Sequence, residues 1–325
     1  MSREHAWIAR YFAPLARMRR LPRGAEAETF DLRDDAAQLR LPAGQRLVCS
    51  ADMLVAGVHF LPQLHAAKVA ERALAVNVSD VAAKGARPLA CLVSLGLPQG
   101  RGERWLSGFA DGLRRGLARY ELTLLGGDMV RAPALSIAVS ILGAAAPRHY
   151  LSRSGARAGD GVYVTGTIGD GLLGLRAARA GQHTAARRHY ETPQVPLAFG
   201  LGLGRLAHAA LDVSDGLWAD AERMGEASGA ALVLEGARVP LSAAGRAHIK
   251  GGGELSALLC GGDDYQILFA APRRVDSRLM KLADATATNC TRIGEVQAGK
   301  GVKVRAQDGQ AWLKRPRRTG YTPFG

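Results

Sequence analysis

The sequence predicts an α/β protein with mixed α+β sheets, divided into two domains at residues 1–147 and 148–325. At 325 residues the chain exceeds the usual size of one domain. Strands and helices alternate in both halves, and a stretch rich in Arg, Gly and Ser at 146–161 separates them. The content of 47% hydrophobic and 22% charged residues is typical of a globular chain with a sizeable core.

The first half begins with a predicted helix, because Ile8, Phe12 and Leu15 recur at helical spacing. A helix is also predicted at 103–120, where Leu106 and Phe109 begin an apolar stripe. The remaining predicted elements are a strand at 46–55, an Ala-rich helix at 66–86 with a polar break at 77–80, a strand at 88–98, and strands at 122–125 and 134–145.

The second half is predicted to contain two strand–turn–helix units, at 162–181 and 209–230. Further strands are predicted at 231–242 and 258–272, with short β segments between 291 and 325. In each half one strand is predicted to end in Gly-Gly-Asp, at 126–128 and at 261–263. This shared feature favours two related α/β domains.

The charge is strongly positive, with 43 Lys and Arg against 29 Asp and Glu, a net of +14. Such a balance suits either nucleic acid or a small anionic substrate. The basic residues are scattered, apart from clusters at 16–24 and 313–318, and no zinc-finger or RNA-stacking motif appears. We therefore do not expect nucleic acid as the partner.

The cysteines and the N-terminus predict a cytoplasmic protein. Cys49, Cys91, Cys260 and Cys290 are far apart and form no C-x-x-C, which suits a reducing compartment. The N-terminus lacks the apolar core of a signal peptide, and no stretch is long enough to span a bilayer. No membrane partner is expected.

Carboxylates cluster at the predicted ends of strands and in Gly- or Ser-rich turns. Neighbouring carboxylates repel one another unless cations neutralise them, and Mg²⁺ prefers oxygen ligands that it bridges to substrate phosphates. The pattern therefore predicts a phosphate site with several Mg²⁺ ions. The residues are Asp34, Asp35, Asp52, Asp80, Asp128, Asp212, Asp215, Asp263 and Asp264.

Other interpretations stay open at particular residues. Asp215 and Asp220 flank a predicted helix start, where simple capping would also explain them. His59 is either a packed loop residue or a substrate contact. The glycines at 166–171 match a dinucleotide fingerprint only loosely, and neither a P-loop nor a G-x-S-x-G elbow is present.

These residues lie in motifs that resemble the thiamine-monophosphate kinases, in the superfamily of aminoimidazole ribonucleotide synthetase and selenophosphate synthetase. The resemblance runs nearly end to end. It depends on "DDAAQL", "SADMLVAGVHF", "ALAVNVSDVAAKGARP", "LLGGDMVRAP", "SRSGARAGDGVYVTGTIGD", "LDVSDGL", "GGDDYQILF" and "GYTPF". The resemblance implies direct in-line transfer of the γ-phosphoryl group of ATP to thiamine monophosphate, and an N-terminal domain that pairs into a dimer barrel.

The resemblance also implies roles for single residues, with no catalytic group separate from the metal and nucleotide ligands. Nucleotide contacts are expected from Gly127, Arg153 and Ser214, and substrate contacts from His59, Asp263 and Tyr321. The implied Mg²⁺ ligands are Asp35, Asp52, Asp80, Asp128, Asp212 and Asp215. ATP is the implied co-substrate.

The chain departs from the family pattern at Arg33, Ala51, Met129 and Asp263, and in the residues that follow Tyr321. Two alternatives therefore stand beside the kinase prediction. One is a diverged paralogue that uses ATP on a different small metabolite. The other is a basic, non-catalytic binding protein on the same fold.

Overall fold

The computed structural model describes residues 3–18 and 20–321, and the chain divides into two compact units. Unit 1 comprises 1–81 and 86–147, and unit 2 comprises 82–85 and 148–325. The α-helices of the described part are α1 (Arg3–Trp7), α2 (Ala13–Ala16), α3 (Ala66–Ala83), α4 (Glu103–Tyr120), α5 (Asp170–Arg179), α6 (Ala185–Glu191), α7 (Leu197–Leu203), α8 (Leu217–Ser228), α9 (Ala243–Lys250), α10 (Leu255–Leu259) and α11 (Asp276–Ala285).

The strands are β1 (Glu26–Glu28), β2 (Gln38–Arg40), β3 (Arg46–Val55), β4 (Arg87–Leu97), β5 (Thr123–Arg131), β6 (Ser136–Ala145), β7 (Asp160–Thr165), β8 (Ala209–Val213), β9 (Ala231–Glu235), β10 (Gln266–Pro272), β11 (Cys290–Gln297) and β12 (Gly301–Arg305). Parallel and antiparallel pairs occur in the same sheets. The predicted mixed α/β fold class is confirmed.

Unit 1 is built on a four-stranded sheet in the order β3-β6-β4-β5. The β3–β6 and β6–β4 pairs are antiparallel, whereas β4 and β5 are parallel. Helices α3 and α4 pack closely, because a Cβ on Gly112 would lie 2.1 Å from the carbonyl oxygen of Ala67. The side chain of Asn77 on α3 bonds the β3 backbone at Asp52. These contacts define the covered face, which we call the inner face.

The opposite, outer face of this sheet carries exposed apolar side chains. Along β3 the exposed positions alternate with half-buried ones, and the exposed set includes Leu47, Cys49 and Met53. Leu47 is 50% exposed and Met53 56% exposed. Leu92 on β4 and Val130 on β5 add to this apolar surface.

Three predictions about element boundaries are wrong. Helix α3 continues through the polar residues 77–80 instead of breaking there. The first Gly-Gly-Asp lies inside β5, which continues to Arg131. The apolar run before the second Gly-Gly-Asp forms the short helix α10, and the next strand begins only at Gln266.

Unit 2 contains a six-stranded sheet in the order β12-β9-β11-β7-β10-β8, buried on both faces. Strand β10 shows the arrangement: Leu268 belongs to the apolar cluster that contains Trp218 of α8, whereas Phe269 belongs to the one that contains Phe199 of α7. In the sequence, strands that are buried on both faces appear as continuous apolar runs. Among the helices described, none combines the length and hydropathy that a bilayer crossing needs.

Candidate active site

Asp52 on β3 and Asp80 on α3 both lie at the inner face of the unit 1 sheet, where hydrogen bonds join this strand and this helix. The N–H of Asp52 donates to Oδ1 of Asn77 at 3.0 Å, and the Ser50 hydroxyl donates to Asp80. Asn77 is fully buried, and its amide also donates to the carbonyl of Ala73 at 2.9 Å. The polar residues of α3 therefore form a stripe that faces β3, which explains why the helix does not break there.

Asp35 and Asp128 line a different part of unit 1, a cavity of about 400 Å³. Ser94 and Gly127 contribute to the same lining. Oδ1 of Asp128 accepts the N–H of Met129 at 2.8 Å. The cavity therefore combines a fixed carboxylate on β5 with the exposed Asp35 in the loop before β2.

The two carboxylate pairs of unit 1 lie at opposite edges of the sheet. Asp52 on β3 is in register with the buried Val139, and Asp128 on β5 is in register with the half-buried Ser94. Strands β3 and β5 are separated by two intervening strands, so the separation is about 14 Å at the usual strand spacing. The two side chains also point to opposite faces of the sheet.

No described group of three or more His, Cys, Asp or Glu side chains could hold a metal ion. The metal roles of the six aspartates stay predictions. The pairs still fit Mg²⁺ chemically, because this ion is commonly held by one or two carboxylates together with substrate phosphates.

Gly127 is required by packing inside the sheet. A Cβ at this position would lie 1.8 Å from the carbonyl oxygen of Val93 on β4. The two strands can approach only because residue 127 has no side chain. A nucleotide contact through Gly127 stays a prediction.

His59 is held in the turn that follows β3. Its Nδ1 accepts the N–H of Val55 at 3.0 Å, and its carbonyl accepts from the buried Arg72 at 3.2 Å. These two hydrogen bonds agree with the interpretation of His59 as a packed loop residue. The expected substrate contact is untested.

Asp220, which the sequence prediction did not assign to the site, organises the acidic turn of unit 2. Its Oδ2 accepts the backbone N–H groups of Ser214, Asp215 and Gly216, each at 3.1 Å. Arg223 donates to Oδ1 of Asp220 at 2.6 Å and also forms an ion pair with Asp215. Asp220 lies in the first turn of α8 and bonds the amides of the turn before it, whereas the N-cap residue, Gly216, has no side-chain cap.

Burial raises the pKa of the Asp220 carboxyl to about 6, and the neighbouring Arg223 opposes that rise. The side chain of Asp220 is only 2% exposed. Asp212, at the end of β8 just before the turn, is also buried. Hydrogen bonds to Asp220 therefore fix the backbone of the turn that carries these carboxylates.

The loop that contains Asp263 packs against this turn. The N–H of Asp263 donates to the carbonyl of Ser214 at 2.8 Å, and that of Tyr265 donates to Val213 at 2.8 Å. A Cβ on Gly262 would lie 2.5 Å from the same Ser214 oxygen. Close approach of these two backbones is the structural reason for the second Gly-Gly pair.

The two adjacent aspartates of this loop have different surroundings. Asp263 accepts the Tyr265 hydroxyl at 2.9 Å. Asp264 is fully buried and accepts the N–H groups of Gly169 and Gly171 at 2.7 and 2.9 Å. Burial raises the pKa of the Asp264 carboxyl well above its usual range, against the effect of those two donors. Asp264 therefore supports the Gly-rich turn before α5.

Tyr321 and Arg153 lie in two further segments of unit 2. The N–H of Tyr321 donates to the carbonyl of Asp215 at 3.0 Å. Arg153 is exposed, in a loop that is tied to β8 through the bond from the N–H of Ala210 to the carbonyl of Ser152, 2.9 Å long. Backbone hydrogen bonds thus bring together Ser214, Asp215, Asp263 and Tyr321.

Comparison with known proteins places the chain in a family. Residues 33–145 match the family described as AIR synthase related protein, N-terminal domain, and residues 157–307 match its C-terminal domain. The thiamine-monophosphate kinase of Salmonella typhimurium is 38% identical over 303 residues, which cover 91% of this chain and 90% of the relative.

Solved structures agree with this relationship. The crystal structure of thiamine-monophosphate kinase from Stenotrophomonas maltophilia is 34% identical with a TM-score of 0.82, and the match covers 91% of this chain and 96% of that one. The structure of AaThiL complexed with AMPPCP and TMP is 30% identical with a TM-score of 0.76, and covers 86% and 87% of the two chains. This chain belongs to the thiamine-monophosphate kinase family of AIR synthase related proteins.

Proposed function

We propose that this protein transfers the γ-phosphoryl group of ATP directly to the phosphate of thiamine monophosphate, forming thiamine diphosphate. The observation that carries the proposal is the identity of 38% to a thiamine-monophosphate kinase along 91% of the chain. The related structure with AMPPCP, an ATP analogue, and TMP supports the same pair of substrates.

Mg²⁺ is proposed to bind at the unit 1 pairs Asp52 with Asp80 and Asp35 with Asp128, and in unit 2 at Asp212 and Asp215. When bound, Mg²⁺ neutralises phosphate charge and orients the phosphate oxygens. A cation would have to replace the Arg223 guanidinium that is ion-paired with Asp215, but the backbone of the unit 2 turn is already fixed by Asp220. Preorganised groups of this kind stabilise charge that develops in a transition state.

The remaining site residues are proposed to bind and orient the two substrates. Arg153 offers an exposed guanidinium for phosphate oxygens, and Gly127 and Ser214 offer backbone or hydroxyl contacts. His59, Asp263 and Tyr321 are proposed to hold the acceptor. A phosphate acceptor is already anionic, so the reaction depends on positioning and charge neutralisation more than on a general base.

We also propose a homodimer formed through the outer face of the unit 1 sheet. Leu47 and Met53 are at least half exposed there, and Leu92 and Val130 extend the surface across β4 and β5. Contiguous apolar patches of this kind typically mark interaction sites. The four cysteines are free, which suits action in a reducing cytoplasm.

The direct experiment is incubation with ATP, Mg²⁺ and thiamine monophosphate, with chromatographic detection of thiamine diphosphate. Equal amounts of ADP and thiamine diphosphate are expected. Unphosphorylated thiamine serves as the control acceptor and is expected to give no product. ATP consumption with another small acceptor, and none with thiamine monophosphate, would favour the diverged paralogue instead.

A further inference from the structure

The C-terminal segment, residues 313–321, is docked along unit 2 and ends beside the acidic turn. The N–H of Leu313 donates to the carbonyl of Val304 at 2.8 Å, and the Leu313 side chain packs against the unit 2 core. At the other end, the N–H of Tyr321 donates to the carbonyl of Asp215 at 3.0 Å. The segment therefore connects the edge strand β12 with the start of α8.

Glu222 on α8 gathers the polar contacts of this segment. Arg315 donates from Nε to Oε1 at 2.7 Å and from Nη2 to Oε2 at 3.2 Å. The hydroxyl of Thr319 donates to the same Oε2 at 2.9 Å. One carboxylate thus receives a bidentate guanidinium and a hydroxyl, an arrangement that fixes direction as well as distance. The Glu222 side chain is only 16% exposed.

The backbone of the segment lies directly on the first turn of α8. The N–H of Ala219 donates to the carbonyl of Thr319 at 3.2 Å, so the segment satisfies one of the amide groups that a helix start leaves unpaired. A Cβ on Gly320 would lie 2.6 Å from both the Ala219 Cβ and the Asp215 carbonyl oxygen. Glycine at 320 permits this approach.

We propose that Glu222 is a positioning residue for the acceptor substrate. By binding Arg315 and Thr319 it holds the C-terminal segment on α8, and this sets Tyr321 beside Asp215. The inference rests on the proposed function, because Tyr321 is assigned to acceptor binding there. It also gives a role to part of the basic run at 313–318, in which Arg315 serves to dock the segment.

The contacts predict an effect on one substrate only. Glu222 touches the segment that carries Tyr321, while the three amides of the acidic turn are held separately by Asp220. Loss of the Glu222 contacts should therefore weaken binding of thiamine monophosphate and leave ATP binding unchanged. A purely structural role would alter both Michaelis constants and kcat together.

The test compares Glu222→Gln and Arg315→Gln with the matched control Arg317→Gln. Arg317 is in the same basic run, is exposed, and forms no ion pair with any residue that the structure describes. We expect KM for thiamine monophosphate to rise about fivefold in the first two variants, a change at the upper end for a partly exposed ion pair, since Arg315 is 61% exposed. KM for ATP should stay within about twofold, and the control should match the wild type.

The exchanged pair Glu222→Arg with Arg315→Glu restores the attraction with the charges reversed. It should recover part of the loss in KM for thiamine monophosphate. Equal increases in both KM values, or an unchanged KM for thiamine monophosphate in Glu222→Gln, would overturn the positioning role.

Hydrogen exchange at the amides of Ala219 and Tyr321 tests the docking without using activity. Both amides should exchange faster in Glu222→Gln than in the wild type, and unchanged exchange would overturn the docking. If the wild type makes no thiamine diphosphate, the proposed function fails, and this exchange result still decides whether Glu222 holds the segment.

Discussion

Replacing Asp220 with asparagine tests whether one buried carboxylate holds the acidic turn. The carboxylate satisfies three backbone N–H groups with Oδ2 and Arg223 with Oδ1. An asparagine of the same shape has only one oxygen. If that oxygen stays on the backbone amides, the new NH₂ group faces the guanidinium of Arg223, and two donors then oppose each other.

The size of the effect follows from these contacts. Breaking a buried ion pair by removing one partner typically costs about 3–5 kcal/mol. Arg223 is 39% exposed and keeps its ion pair with Asp215, which reduces the loss. The neutral amide also escapes the desolvation that raises the Asp220 pKa. We therefore expect a destabilisation of about 2 kcal/mol, which lowers the melting temperature by about 4–8 °C in a unit of this size.

The assay is thermal unfolding followed by circular dichroism, without Mg²⁺ or nucleotide, combined with hydrogen exchange at residues 214–216. The matched control is Asp284→Asn, an exposed carboxylate on α11, which should melt within about 1 °C of the wild type. If Asp220→Asn melts like the wild type and the three amides stay equally protected, the claim that Asp220 holds the turn is refuted.

Three further outcomes are expected. Gly127→Ala should lower the urea midpoint of unit 1 by the equivalent of about 3 kcal/mol, because its Cβ would meet the Val93 carbonyl at 1.8 Å; an unchanged midpoint would contradict this packing. Asp128→Asn should reduce kcat about 100-fold while the melting temperature barely changes, and full activity would remove the metal role. At pH 8, iodoacetamide should spare the native Cys91, because burial raises the pKa of its thiol to about 12. It should label the exposed Cys49 more slowly as the proposed dimerisation increases with protein concentration. Labelling of Cys91 at the rate of a free thiol would contradict its burial.

Periodic elements could be predicted from the sequence because their apolar positions repeat. The strand Arg46–Val55 and the helix Glu103–Tyr120 have the predicted bounds. The short run at Leu255–Leu259 could not be assigned correctly, since four apolar residues and one serine fit a buried strand and a helix equally well. The polar stripe of α3 looked like a break because its partner, β3, is distant in the sequence.

The candidate site was predictable only where a local motif marks it. Asp264 and Glu222 support the site through hydrogen bonds whose partners no local pattern identifies, whereas the partners of Asp220 lie within six residues of it. Asp264 bonds an amide 95 residues away, and Glu222 bonds Arg315 across 93 residues. A buried carboxylate that accepts backbone N–H groups looks the same in sequence as one that binds a metal, so both kinds were grouped together as acidic turns.

Transfer of label from [γ-³²P]ATP to thiamine monophosphate tests the central claim most directly. With Mg²⁺ present, the protein should produce one labelled thiamine diphosphate for each ADP formed, and no labelled inorganic phosphate should precede it. ATP turnover that leaves thiamine monophosphate unlabelled, or no ATP turnover at high enzyme concentration, would contradict the proposed phosphoryl transfer.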